Sequence, residues 1–193
     1  ASLDRGNKLF DRVKAYTHGD RFPEVQGHKA FTSHYHVEHT TRLIKARDKG
    51  EKLAVPPALK KPGFVDVFKK SGIQIVHLAE FHTRLGRSRR DPVRALPLLK
   101  TLHEECARLS DDGFLLLPGE EPNVHLGGHW ISFFPRPVMW VLNRSKDKPF
   151  TEEHPQFGRV YHVGSPDDVL KLMECEGGLM WAAHPRIKSS TGY

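Results

Sequence analysis

Five histidines and up to three carboxylates stand at the edges of apolar runs. His34 and His36 lie in the alternating run 31–37. Glu80 and His82 follow the run 73–79, and Glu120 and Glu121 follow 114–117. His129 precedes 131–134, and His184 follows 179–183. Histidine is the commonest metal ligand, and 13 of 193 residues are His. His34 and His36 are two apart on a strand, so both point the same way, roughly 6.6 Å apart by strand rise. Two imidazoles there can converge on one cation from a stiff support. A carboxylate just past an apolar strand and a Gly turn, as in Pro118-Gly119-Glu120-Glu121, can bridge two cations, the usual clamp for in-line attack on phosphoryl or acyl centres. His129 follows Gly127-Gly128, which let backbone approach closely, and His125 is a second candidate in the same loop. His184 is followed by Pro185 and Arg186. A guanidinium there could hold an anionic group in a two-pronged fork.

These side chains need elements to hold them. Residues 7–17 read as a short helix, with Leu9, Phe10 and Val13 as its stripe. Residues 42–62 are charged and Pro-containing and read as a long excursion or lid. Helices are expected over 62–71, closed by Gly72, over 91–110, opened by Asp91-Pro92, and over 166–176, opened by Ser165-Pro166 and closed by Gly177. Pro97 should kink the second of these or mark its true start. Strands are expected over 31–37, 73–79, 114–117, 129–134, 138–142, 158–163 and 179–183. Helices alternating with strands apolar on both faces argue for an α/β layer or barrel with a parallel sheet. In such folds the C-terminal strand ends build sites, and those ends carry the residues above. The division expected is 1–30, an N-terminal helix and connecting segment, and 31–193, the domain bearing the site.

Composition narrows the class. Hydrophobic residues are 38% and charged residues 27%, which excludes a disordered tail. No apolar run approaches the roughly 18 residues of a spanning helix, so no membrane partner is expected. Cys106 and Cys175 are the two cysteines, too few for a disulfide scaffold or a Cys-based zinc finger. The net charge of +7 favours anionic ligands. The loop bearing Arg84, Arg87, Arg89, Arg90 and Arg94 could draw in an anion, but it lacks the interleaved aromatics of a single-strand binder, so nucleic acid is not favoured. Phosphate-loop, dinucleotide, serine-elbow and helical zinc-protease motifs are absent. The first thirty residues carry no signal-peptide pattern, and the compartment stays open.

Across residues 31–186 the chain resembles the polymerase and histidinol phosphatase (PHP) metal-dependent phosphoesterases. That family's opening H-x-H is similar to His34-Tyr35-His36, and its Asp-His motif to the altered Glu80-Phe81-His82. Its Pro-Gly-x-Glu is similar to Pro118-Gly119-Glu120-Glu121, its Gly-His to Gly128-His129 and its Ala-His-Pro to Ala183-His184-Pro185. The family's late Asp-x-His has no counterpart before Tyr193. The resemblance implies a distorted (β/α)7-type barrel, incomplete at its C-terminal end, with two or three divalent transition metal ions of the Zn, Mn or Fe kind. It casts Glu121 as the bridging ligand and Glu120 as a spacer. His34, His36 and Glu121 would hold one metal; Glu121, His129 and His82 a second; His184 a third, or it completes the set, with Glu80 and His82 in altered roles. The function implied is a metal-dependent hydrolase, a phosphoesterase using a metal-activated water on an anionic small-molecule phosphate ester, with Glu121 and Arg186 in catalysis. The alternative is a non-catalytic PHP-like metal-binding or interaction module.

Overall fold

Local chemistry accounts for where the helices begin and end. The computed structural model describes residues 21–37, 39–48, 60–79 and 91–185. In chain order the elements are β1 (Phe31–Tyr35), α1 (His39–Asp48), α2 (Gly63–Ser71), β2 (Ile75–Ala79), α3 (Pro92–Leu109), β3 (Leu115–Glu120), β4 (Trp130–Phe133), β5 (Met139–Val141), β6 (Thr151–His154), β7 (Gly158–His162), α4 (Pro166–Glu176) and β8 (Leu179–Ala182). The Asp91 carboxylate accepts from Val93 N at 3.1 Å to open α3, and Ser165 Oγ accepts from Asp168 N at 3.1 Å to open α4. Gly72, in the left-handed region at φ 80°, closes α2. Pro97 lies inside α3, and the helix continues past it rather than starting there. The missing N–H would have met the Val93 carbonyl in the first turn, where Val93 is exposed and water can serve instead.

Five strands form one sheet in the order β1-β2-β3-β4-β8, and β5-β7-β6 form a second. β1, β2 and β3 are parallel, whereas β4 runs antiparallel to β3, and β8 antiparallel to β4. One face of the larger sheet is covered by helices: Val76, Leu78 and Leu116 pack with Leu99, Leu102 and Cys106 of α3, and the same core continues through Trp130, Trp140 and Tyr161 into the second sheet.

This architecture corrects the expected (β/α)7 barrel. Among the described residues there are four helices, and the five-stranded sheet curls as a half-barrel beside a separate small sheet. The physical reason lies in connection length. A parallel neighbour needs a crossover of roughly a dozen residues or more. Residues 121–129 link β3 to β4 without a helix, so β4 must turn back. Apolar runs mark strands but do not state their direction.

Two elements escaped the sequence reading. β6 is Thr-Glu-Glu-His, with no apolar residue, and pairs antiparallel with β7 across a short turn. α1 occupies the first part of the expected lid; its Leu43 is buried, with His39 and Thr40, although its other positions are mostly polar. The remainder of that lid at 49–59, the expected helix at 7–17 and the Arg-rich loop up to residue 90 lie outside the described residues. Residues 21–30 are tied to the site-bearing domain: Phe22 N donates to Ser71 O at 2.8 Å, and Ala30 O accepts from Gln74 N and Ile75 N, each at 3.0 Å.

Candidate metal centre

The first ligand pair owes its placement to an irregularity in β1. The register against β2 pairs Thr32 with Val76 but Tyr35 with Leu78, so β1 shifts by a residue between them. Tyr35 turns into the core, edge-on to Phe68 with ring centroids 4.7 Å apart. His34 and His36, on either side of it, face the other way. Their rings converge well beyond the simple strand spacing, with Nε2 atoms 2.8 Å apart.

The antiparallel course of β4 supplies the other ligands. Its N-terminal end lies at the same edge as the C-terminal ends of β1–β3. β8, antiparallel to β4, ends at that edge too. Trp130 pairs with Ala182, and Ala183 N donates to His129 O at 2.8 Å, which sets His129 beside His184. The loop between Glu121 and His129 is pinned at its far end: Trp130 N donates to Pro122 O at 3.1 Å and Trp130 Nε1 to Val124 O at 2.9 Å.

All four imidazoles meet one carboxylate. Glu121 is buried, with its side chain 3% exposed. Its Oε2 lies 3.0 Å from both His34 Nε2 and His36 Nε2. Its Oε1 lies 2.9 Å from His129 Nδ1 and 3.0 Å from His184 Nε2. Two groups able to hold a metal ion result, His34–His36–Glu121 and Glu121–His129–His184, sharing Glu121. Burial by itself would raise the Glu121 pKa. Contacts to His36, His129 and His34 outweigh it and hold the carboxyl well below the usual carboxylate range.

The proton arithmetic of the first group matters. His36 Nδ1 lies 2.9 Å from Ala79 O. A carbonyl can only accept, so Nδ1 carries the proton, and in the neutral ring Nε2 presents a lone pair. That lone pair faces a carboxylate oxygen at 3.0 Å and a second imidazole nitrogen at 2.8 Å. With Glu121 ionised and the three atoms mutually close, no proton assignment makes every edge a hydrogen bond. If both nitrogens donate to Oε2, two N–H groups oppose each other; if one is bare, its lone pair opposes the oxygen. A cation seated above the triangle accepts all three lone pairs. Donors about 2.0–2.2 Å from such an ion stand about 3.3–3.6 Å apart at tetrahedral angles and about 2.8–3.1 Å apart at right angles, and the observed 2.8–3.0 Å edges match the latter. The donor set therefore fits a metal ion. The Ala79 carbonyl is also the kind of outer partner that orients a ligating imidazole. In the second group, His184 Nδ1 is buried and has no hydrogen-bond partner among the described residues.

Of the residues singled out from the sequence, His34, His36, Glu121, His129 and His184 are brought together. His184 joins the group of Glu121 and His129 rather than standing apart. Glu120 points to the opposite face of β3, into a small buried space lined by Leu99, His103, Ser132 and Trp140. His125, at φ 71°, sits in the loop and belongs to neither group. Glu80, His82 and Arg186 lie outside the described residues. One buried side chain beneath the centre went unremarked in the sequence: His77, whose signal is a polar residue inside an otherwise apolar strand.

No family model matches the chain, and neither a curated protein nor a solved structure does.

Proposed function

We propose that the chain is a metal-dependent hydrolase acting on phosphate esters, with two divalent cations sharing Glu121. The observation that carries the metal reading is the His34–His36–Glu121 triangle, which no arrangement of protons satisfies and a cation does. Imidazole and carboxylate donors suit Zn, Mn or Fe. Bound cations would supply Lewis acidity and bring the pKa of a coordinated water toward about 7. His34 and His36 would hold one cation and His129 and His184 the other, while Glu121 fixes their spacing. Arg186, two residues past His184, would orient the anion. The choice of a phosphate ester rests on the order of the PHP-like motifs and on the positive net charge of the chain.

The test is elemental analysis of protein purified without chelator, followed by hydrolysis of p-nitrophenyl phosphate and its bis ester with added Mn, Zn or Fe. About one or two metal ions per chain and metal-dependent turnover are expected. No metal after soaking would end the metal reading. Metal without hydrolysis of either ester would end the phosphoesterase reading and favour a binding module.

A further inference from the structure

Among the described residues of β2 none belongs to either ligand group, yet one side chain of this strand touches strands on both sides of the centre. His77 is fully buried. Its Nδ1 lies 3.0 Å from Ser33 O on β1, and its Nε2 lies 3.1 Å from Ser132 O on β4. To reach β4 the ring must pass over β3, and it does so at Gly119. A Cβ on Gly119 would sit 1.7 Å from His77 Nε2 and 2.5 Å from Ser132 O. Only a glycine leaves room for the crossing. The ring is then held from the β4–β8 side by Phe133 and Trp181, each with its ring centroid 5.5 Å away.

The endpoints are informative. Ser33 immediately precedes His34, Ser132 is three residues beyond His129, and Gly119 is two residues before Glu121. The contacts of one imidazole thus end within three residues of a ligand at β1, at the end of β3 and at the start of β4. Whichever nitrogen carries the proton donates to one of the two carbonyls, and a ring protonated at both donates to both.

We propose that His77 is a positioning residue that sets the separation of the two ligand groups, with Gly119 as the gap that admits it. It does not touch the cations. It fixes the distance between the His34–His36 side and the His129 side, so that one carboxylate can serve both. This inference rests on the metal reading above.

The experiment is a Co(II) titration of the full chain, followed by absorbance and calorimetry, for wild type, His77→Leu and His77→Gln, with Glu105→Gln as a control of lowered stability at a residue of neither ligand group. Wild type is expected to take up two equivalents. His77→Leu should weaken the second by about tenfold or more, the scale seen when an outer partner of a metal site is lost, and should shift the visible Co(II) bands. His77→Gln, which keeps one donor, should fall between. Glu105→Gln should melt earlier with an unchanged isotherm and unchanged bands. Wild-type uptake with His77 variants indistinguishable from it would overturn the positioning role alone. Failure of wild type to bind Co(II) would overturn the metal reading instead. If neither His77 variant folds, the residue serves sheet stability and the proposal is wrong.

Discussion

Glu105 and Glu121 are both buried carboxylates that contact histidine, and both are held below the usual carboxylate range, but they are completed differently. On α3, Glu105 Oε2 accepts from His39 Nε2 at 2.8 Å and from Arg108 Nη2, and its Oε1 accepts from Arg108 Nε at 2.9 Å. A guanidinium is always charged, so the protein supplies the countercharge itself and the contact joins α1 to α3. Glu121 meets four imidazoles and, among the described residues, pairs with no Lys or Arg. Its neighbours compete for the same space rather than filling it. A histidine beside a carboxylate is therefore uninformative by itself; what distinguishes a ligand set is a geometry that protons cannot satisfy.

The largest effect should come from breaking the shared carboxylate. Glu121→Gln keeps the volume and removes the charge. Hydrolysis is expected to fall by about 10²-fold or more, with metal content reduced and the apo thermal midpoint little changed. Glu120→Gln, on the other face of β3, should be much milder in turnover and metal uptake. Comparable losses from both would dissolve the distinction between the two glutamates.

Next in size, His34→Ala should weaken metal binding by at least about tenfold and lower turnover with it. His103→Ala should change neither, because His103 lies on α3 with Nε2 3.4 Å from Val138 O, away from both ligand groups. Metal content measured by mass spectrometry decides the pair.

The converse break is Glu105→Gln. Losing charge-assisted hydrogen bonds at a buried acceptor should cost about 1–3 kcal/mol of stability by denaturant melt. Metal content should stay at the wild-type level. A drop in metal content would mean that the α1–α3 contact and the metal centre are one unit.

The smallest effect is in the acid limb. Burial alone would raise the Glu105 pKa, but hydrogen bonds from Arg108 and His39 outweigh it and lower the value. The unfolded chain therefore binds the proton more readily at this site. The stabilisation is complete above the unfolded value of about 4.3 and is lost as pH falls through the folded value. As pH is lowered from about 6 to about 3 in chelator, the thermal midpoint should fall more steeply for wild type than for Glu105→Gln; parallel curves would remove Glu105 from the acid response.

Much of this was legible along the chain because it is local. Asp91, Ser165 and Gly177 mark helix ends through bonds to backbone within four residues. The period of two around Tyr35 marks His34 and His36 as a pair, since strand side chains alternate whatever the strand pairs with. β6 was silent for the converse reason: an edge segment of Thr, Glu and His carries no burial pattern to read. His77 was silent because its meaning lies in Gly119, a residue of the next strand over.

The amino-acid sequence by itself determined the elements that carry an apolar pattern or a cap, and the residue types at their ends. Strand direction, register and the partners of each side chain were decided only by the tertiary structure. The turn-back of β4 is what places the start of that strand, with His129, at the same edge as the end of β3. The shift in β1 is what turns Tyr35 into the core and both histidines out of it. His184 reaches Glu121 across 63 positions of chain, a contact no local pattern encodes. Propensity and periodicity act over a few residues, whereas a ligand set is a property of which edges the packed sheet brings together.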